Sequence, residues 1–186
     1  MALPPAGPAT QDPAALKPVG TPDFEATAAM AARLQAACLA RGLTVATAES
    51  CTGGAVAQAI TDVAGSSGYF RGSIVSYADE TKTTLLGVDS EVMAAHGAVS
   101  AQVAVAMAVG ARERFKTTVA VSITGIAGPS GGSASKPVGL TYLGLADETG
   151  GDVRRVHWTG DRSANRADSV RAALEWLLEW AEAHSA

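Results

Sequence analysis

The stretch TAESCTGG, residues 47–54, decides the fold. It follows a short β-branched run, residues 43–46, which predicts a buried strand. It precedes a mostly apolar run, residues 55–60, which predicts a helix. In an open α/β sheet, ligands bind at the carboxyl ends of strands, against helix N-termini. The turn is therefore either an ordinary strand-to-helix connection with polar caps or part of such a binding site.

Composition limits the class of protein. The chain has 186 residues, of which 47% are hydrophobic, and a formal net charge of −4. This length and apolar content predict one domain with a sizeable core. The acidic balance argues against a nucleic-acid partner, because binding to phosphates needs a basic face.

The cysteines and the apolar runs limit the class further. Two cysteines, Cys38 and Cys51, make neither a disulfide framework nor a zinc motif, and we expect no metal and no cofactor. The first residues lack the features of a secretory signal, and no apolar run approaches a membrane span in length. We expect a cytoplasmic protein that does not bind membranes.

The first twenty residues differ from the rest. Residues 1–20 hold five of the eight prolines and few large apolar side chains, which is typical of a disordered tail. One folded domain is expected over residues 21–186, beginning with a helix that Thr21 caps.

Strand and helix patterns alternate along that domain. The strands are predicted at residues 43–46, 72–77, 117–124, 137–146 and 152–158, the last two as an antiparallel hairpin. Helices are predicted before and between the first three strands, and a C-terminal helix opens at residues 160–163. This order predicts an α/β protein, a single three-layer α/β/α domain with a mixed β-sheet.

The C-terminal helix carries Trp176 and Trp180, four residues apart on a face beside its apolar stripe. The pair is typical of core packing and equally of a dimer interface. The sequence alone leaves both interpretations open.

A serine with a lysine base is one candidate catalytic arrangement. No histidine is near a serine-containing turn in sequence, so a Ser-His-Asp triad has weak support. Lys82 lies shortly after Ser67, with Tyr77 between them, and could serve as a base if its environment keeps it neutral. The simpler interpretation of Lys82 is a solvated helix lysine. Cys51, near a helix N-terminus, is an alternative nucleophile or a small buried residue.

Two further segments could bind an anion. The loop at residues 125–132 is rich in glycine and can present backbone N–H groups, although it lacks the P-loop ending. Arg162, at a predicted helix start, could hold a phosphate or could pair on the surface with Asp161 or Glu148.

Several of these segments together resemble a known family. The motifs are TAESCTGG (47–54), GSS (65–67), GSIVSY (72–77) followed by Lys82, LGV (86–88), HGAVS (96–100), SITGIAGPSGG (122–132), KPVG (136–139) and GDR (160–162). In this order they closely resemble the C-terminal domain of the CinA family, which also occurs alone as a nicotinamide-nucleotide amidohydrolase. The resemblance covers residues 24–183.

The resemblance implies hydrolysis of the carboxamide of nicotinamide mononucleotide to nicotinate mononucleotide and ammonia, in pyridine-nucleotide recycling. It implies a serine and a lysine in catalysis and a homodimer. Carried over by position, the catalytic residues are Ser67, Lys82, Tyr77 and Ser50, with Ser67 favoured over Ser50 as the nucleophile. The implied substrate-binding residues are Gly65, Thr124, Gly125, Arg162, Thr52 and Gly53.

A second function stays open, a non-catalytic pyridine-nucleotide or phosphate-binding module of the same fold. A third interpretation, a structural or partner-binding protein, draws only on the two tryptophans and the tail. The larger CinA proteins carry a further N-terminal domain. This chain has no room for that domain, so we expect its activities to be absent.

Overall fold

The computed structural model describes residues 24–184. The predicted disordered tail, residues 1–20, and the predicted cap Thr21 lie outside the described residues. Within them, no helix is long and apolar enough to cross a membrane.

In the described part of the chain, a mixed sheet of five strands forms the middle layer. Its order is β2-β1-β3-β4-β5. The strands are β1 (Val45–Glu49), β2 (Phe70–Val75), β3 (Val119–Gly125), β4 (Leu140–Asp147) and β5 (Gly150–His157). Strands β1, β2 and β3 are parallel, whereas β4 and β5 form an antiparallel hairpin beside them. The predicted α/β class with a mixed sheet is confirmed.

Within residues 24–184, six α-helices flank the sheet. They are α1 (Phe24–Arg41), α2 (Ala55–Thr61), α3 (Asp79–Leu86), α4 (Ser90–His96), α5 (Ala101–Phe115) and α6 (Arg162–Ala183). Local capping signals explain several of the boundaries. Ser100 accepts a hydrogen bond from the backbone N–H of Val103 at the start of α5, and Gly87 ends α3 in the left-handed conformation.

The helices cover both faces of the sheet. Helix α5 packs on one face, where Val103, Met107 and Ala111 meet small residues of β1 and β3. Helices α1, α2 and α6 share a larger apolar core with the other face. Since both faces are covered, every residue of β1 is buried, and the strand shows no alternation of apolar and polar residues.

Both C-terminal tryptophans find partners within this chain. Trp176 is buried, with the guanidinium of Arg154 lying 4.4 Å from its ring centroid. The indole N–H of Trp180 donates to Asp147 Oδ2 over 2.8 Å, and its ring stacks on His184. The core-packing interpretation of this pair is supported, and the two rings give no separate argument for a dimer.

Helix α5 approaches β4 closely because position 144 is a glycine. A Cβ there would overlap the carbonyl group of Ala104 in α5 and lie 2.7 Å from Ser122 Oγ. The backbone of α5 cannot move aside as a flexible side chain can. The contact between α5 and the sheet therefore requires Gly144.

We expect Gly144→Ala to lower the free energy of unfolding by about 1–3 kcal/mol, because it overpacks a backbone contact. Gly68→Ala is the matched control, since the added methyl would meet only the end of the half-exposed Leu39 side chain. Urea unfolding followed by circular dichroism measures both. Equal losses in the two variants would contradict the assignment.

Candidate active site

A cavity of about 260 Å³ opens at the carboxyl edge of the three parallel strands. Ser50 follows β1, Tyr77 follows β2 and Thr124 lies near the end of β3. Lys82 and Asp79 from α3 and Arg162 from the start of α6 also line it. The topology thus brings together five of the polar residues singled out in the sequence, and Gly125 lines the same cavity.

The turn that carries Ser50 is held by the carboxylate of Glu49. This side chain is fully buried. It accepts hydrogen bonds from the backbone N–H groups of Gly54 (2.9 Å), Val56 (3.1 Å) and Ala57 (2.8 Å), at the start of α2. A carboxylate at a helix N-terminus satisfies donors that have no partner within the helix. Glu49 is therefore a structural residue that fixes the turn.

Arg166 in α6 holds the same turn from the other side. Its Nε donates to the carbonyl of Cys51 over 3.1 Å, and its Nη2 donates to that of Thr52 over 2.7 Å. Thr52 is fully buried, and Gly53 lies against the Arg166 guanidinium. Neither residue lines the cavity, although both were expected to bind substrate. Arg166 lies 115 positions beyond Cys51, and no sequence signal joined it to the turn.

Lys82 is the unusual residue of the site. Its side chain is 1% exposed, so the interpretation as a solvated helix lysine is wrong. Its Nζ donates to the carbonyl of Tyr77 and to Asp79 Oδ1, both over 3.4 Å. Asp79 lies three positions before Lys82 on α3, a spacing that would have identified this pair in the sequence.

Arg162 spans the mouth of the cavity. Its Nη1 donates to the carbonyl of Gly128 over 2.9 Å, and its Nη2 donates to the Tyr77 hydroxyl over 3.3 Å. The alternative of a surface ion pair does not form: the Asp161 carboxylate caps α6 by accepting from the N–H of Ala164, and Glu148 lies at the other edge of the sheet. Arg162 thus points its charge toward the cavity.

The glycine-rich loop closes one side of the cavity and is fastened from two directions. Thr124 donates its hydroxyl to the carbonyl of Ala98 over 2.8 Å. Asn165 in α6 donates to the carbonyl of Ala127 over 3.0 Å. These hydrogen bonds hold the loop in place where it lines the cavity.

Ser67 and Gly65 lie elsewhere, which corrects the expectation that they share a pocket with Lys82. They belong to the turn before β2, whereas the cavity lies beyond the end of β2. The six residues of this strand separate the two edges by about 20 Å. An added Cβ at Gly65 would meet Gln35 of α1, at the amino edge of the sheet. Ser50 is the serine that shares the cavity with Lys82.

Cys51 lines the cavity but is not an activated thiol. Burial raises its pKa from 9.0 to about 11. This favours the interpretation of Cys51 as a small buried residue over that of an alternative nucleophile, since the thiolate is the reactive form. Among residues 24–184, no cluster of three or more His, Cys, Asp or Glu side chains could hold a metal ion.

The chain is similar in sequence and in structure to known proteins. The model of the CinA C-terminal domain family matches residues 27–181. A CinA-like protein of Geobacter sulfurreducens is 54% identical over 137 residues, which are 74% of this chain and 33% of that protein. The chain spans about a third of the length of such CinA-like relatives.

A shorter relative matches over most of its length. The nicotinamide-nucleotide amidohydrolase PncC of Escherichia coli K12 is 50% identical over 141 residues, 75% of this chain and 86% of that protein. The crystal structure of a competence/damage-inducible protein from Agrobacterium tumefaciens superimposes with a TM-score of 0.80. The two chains are 42% identical, and the match covers 82% of this chain and 94% of the A. tumefaciens chain.

We expect Glu49→Gln to lower the free energy of unfolding by about 1–3 kcal/mol, because the amide NH₂ would face a backbone N–H that has lost its acceptor. Glu91→Gln is the control, since Glu91 is exposed on α4. Urea unfolding of both variants gives the comparison. A loss at Glu49 no larger than that at Glu91 would refute the structural role.

Neither cysteine of the folded protein should react with iodoacetamide at pH 7.5. Burial raises the pKa of Cys51 to about 11 and that of Cys38 to about 12. Even at pH 8 the thiolate fraction of Cys51 would be roughly one in a thousand. Mass spectrometry measures labelling before and after urea is added. Rapid alkylation of Cys51 in the folded protein would show that it is accessible and activated.

Proposed function

The chain belongs to the CinA C-terminal domain family, and we propose that it is an amidohydrolase that converts nicotinamide mononucleotide to nicotinate mononucleotide and ammonia. The similarity to E. coli PncC over 86% of that protein supports the activity. The observation that carries the proposal is the buried Lys82 amine, in one cavity with the hydroxyl of Ser50 and the cation of Arg162.

We assign the nucleophile to Ser50 rather than Ser67. Ser50 lines the cavity with Lys82 and lies in a turn held by Glu49 and Arg166. A fixed backbone favours catalysis because the reacting oxygen need not be ordered when substrate binds. Ser67 is exposed at the other edge of the sheet, beyond the reach of Lys82 in the same chain.

Lys82 in its neutral form is the proposed base. It takes the proton from Ser50 Oγ as that oxygen attacks the carboxamide carbon, and Asp79 stabilises the ammonium that forms. The tetrahedral intermediate then collapses. The C–N bond breaks, Lys82 returns the proton to the departing nitrogen, and ammonia leaves an acyl ester on Ser50. Water hydrolyses that ester and releases the carboxylic acid.

The glycine-rich loop is the proposed source of oxyanion stabilisation. The loop lines the cavity, and Thr124 and Asn165 hold it in place. N–H groups that are fixed before the reaction stabilise the developing negative charge, with about 3 kcal/mol for each donor. The loop would therefore lower the barrier for attack without rearranging.

Arg162 is the proposed phosphate ligand. It is the first residue of the 22-residue helix α6, where the helix N-terminus also favours an anion. A phosphate is a stronger acceptor for the guanidinium than the Tyr77 hydroxyl that contacts it in this structure. Binding at Arg162 would leave the pyridine carboxamide to face Ser50. We also propose that the protein acts in pyridine-nucleotide recycling, as a cytoplasmic homodimer.

We expect Ser50→Ala and Lys82→Met each to reduce ammonia release from nicotinamide mononucleotide by at least about a thousandfold. Ser67→Ala is the matched control and should keep activity within about threefold, because Ser67 lies outside the cavity. Ammonia release is followed by a coupled assay, with substrate binding measured in parallel by calorimetry and folding by circular dichroism.

The opposite pattern of activities would contradict the assignment of Ser50 as the nucleophile. Loss of activity in Ser67→Ala with full activity in Ser50→Ala would make Ser67 the nucleophile. Saturable binding without ammonia release in the wild-type protein would favour the non-catalytic binding module.

A further inference from the structure

A second cavity, of about 390 Å³, lies at the amino edge of the sheet, opposite the candidate active site. The last turn of α5, the loop into β3, the β4–β5 turn and the end of α6 form its walls. Small-molecule sites have volumes of about 300–1,000 Å³, so it is large enough for a ligand. The proposed hydrolysis uses none of its residues.

One wall of this cavity carries two cations. Arg112 and Lys116 are four positions apart at the end of α5, a spacing at which like charges repel. Within residues 24–184, neither side chain forms an ion pair with a carboxylate. Arg112 uses its Nε to donate to the carbonyl of Thr118 over 3.3 Å. The rest of the guanidinium and the Lys116 ammonium are free to bind an anion.

The backbone of Lys116 is strained. It has φ 53° and is the one non-glycine residue at positive φ in the described part of the chain. Helices commonly end in this conformation at a glycine, which adopts it without steric cost. A lysine here keeps a cation at the cavity at the expense of stability. Such strain is typical of residues selected for a ligand.

The lining of this cavity also includes an aromatic stack. Trp180 and His184 stack with their ring centroids 4.3 Å apart and their planes at 14°. Asp147 fixes the indole by accepting its N–H, and the other Asp147 oxygen accepts from the N–H and hydroxyl of Thr149. Burial alone would raise the pKa of Asp147, but these hydrogen bonds hold it below its ordinary value. The exposed His184 ring is therefore held against the indole, and its Nδ1 also lies 2.7 Å from the carbonyl oxygen of Trp180.

A carboxylate also lines this cavity. Glu148 is exposed in the β4–β5 turn and lines the cavity next to Asp147. Acidic side chains commonly bind ribose in nucleotide sites by accepting hydrogen bonds from its hydroxyls. The cavity thus offers cations, a hydroxyl acceptor and a stacking ring, the three kinds of group that bind a phosphate, a ribose and a base.

We propose that this cavity is a second ligand site that binds a ribonucleoside monophosphate. Arg112 and Lys116 hold the phosphate, Glu148 accepts from the ribose hydroxyls, and the base stacks on His184. The site goes beyond the proposed amidohydrolase activity and does not depend on it, because the two cavities share no residue.

Titration with AMP tests the site. AMP has no carboxamide, so it cannot be hydrolysed by the proposed reaction. Trp158 and Trp176 are buried in the core, whereas Trp180 lines this cavity, so saturable quenching of tryptophan fluorescence reports on it. We expect AMP to bind saturably at submillimolar concentration. Adenosine, which lacks the phosphate, should bind at least tenfold more weakly.

Lys116→Gly is the decisive variant, because glycine relieves the strained backbone while removing the charge. We expect its melting temperature to stay the same or rise and its dissociation constant for AMP to increase at least tenfold. Arg112→Gln should weaken binding similarly. Arg114→Gln, which removes the same charge from the same helix outside the cavity, is the control and should bind as the wild type does.

A third variant separates this site from the active site. Arg162→Gln should leave the AMP titration unchanged, since it alters only the catalytic cavity. Absence of saturable binding would overturn the proposal. So would binding that survives both Lys116→Gly and Arg112→Gln, or binding that disappears in Arg162→Gln. These outcomes are independent of whether ammonia is released from nicotinamide mononucleotide.

Discussion

The site depends on one buried carboxylate. Glu49 ends the central parallel strand β1 with no exposed surface, and a charge in such a place must be fully paired. The first backbone N–H groups of α2 supply that pairing, and they in turn need an acceptor. The buried carboxylate thus gains donors, and the N–H groups of α2 gain an acceptor. The result is a strand-to-helix turn with one conformation, in which Ser50 is the next residue.

The parallel register converts this fixed turn into a site. Glu49 is paired with Val75 on one side and with Ile123 on the other, so β1, β2 and β3 end at nearly the same level. Residues that follow each strand therefore meet at one edge, although they are separated by many positions in sequence. Helix α6 closes the edge, because Arg162 and Arg166 lie one turn apart at its start. The alignment of the strand ends therefore determines both the shape of this edge of the sheet and the position of the site.

The sequence predicted those features of the fold and the site that strand topology and local sequence signals determine. Helices lie between the first three strands, as predicted, and the cavity lies where the parallel strands end. Motif order alone did not predict the location of Ser67. A turn before a parallel strand lies at the amino edge of the sheet, and a turn after one lies at the carboxyl edge. Applied to the sequence, that rule separates Ser67 from Ser50.

The burial of Lys82 is what no local signal predicts, and it is also the strongest argument for chemistry. Its partner Asp79 is 66% exposed and 3.4 Å away, so the attraction between them is weakened by solvent. Such a pair does not offset the loss of hydration of a fully buried ammonium, and an apolar side chain of similar size would stabilise α3 more. Proteins keep unfavourable groups where function requires them. Here the amine shares a cavity with a fixed serine hydroxyl. The cost of burying Lys82 is therefore accounted for by its place beside Ser50 in the proposed site.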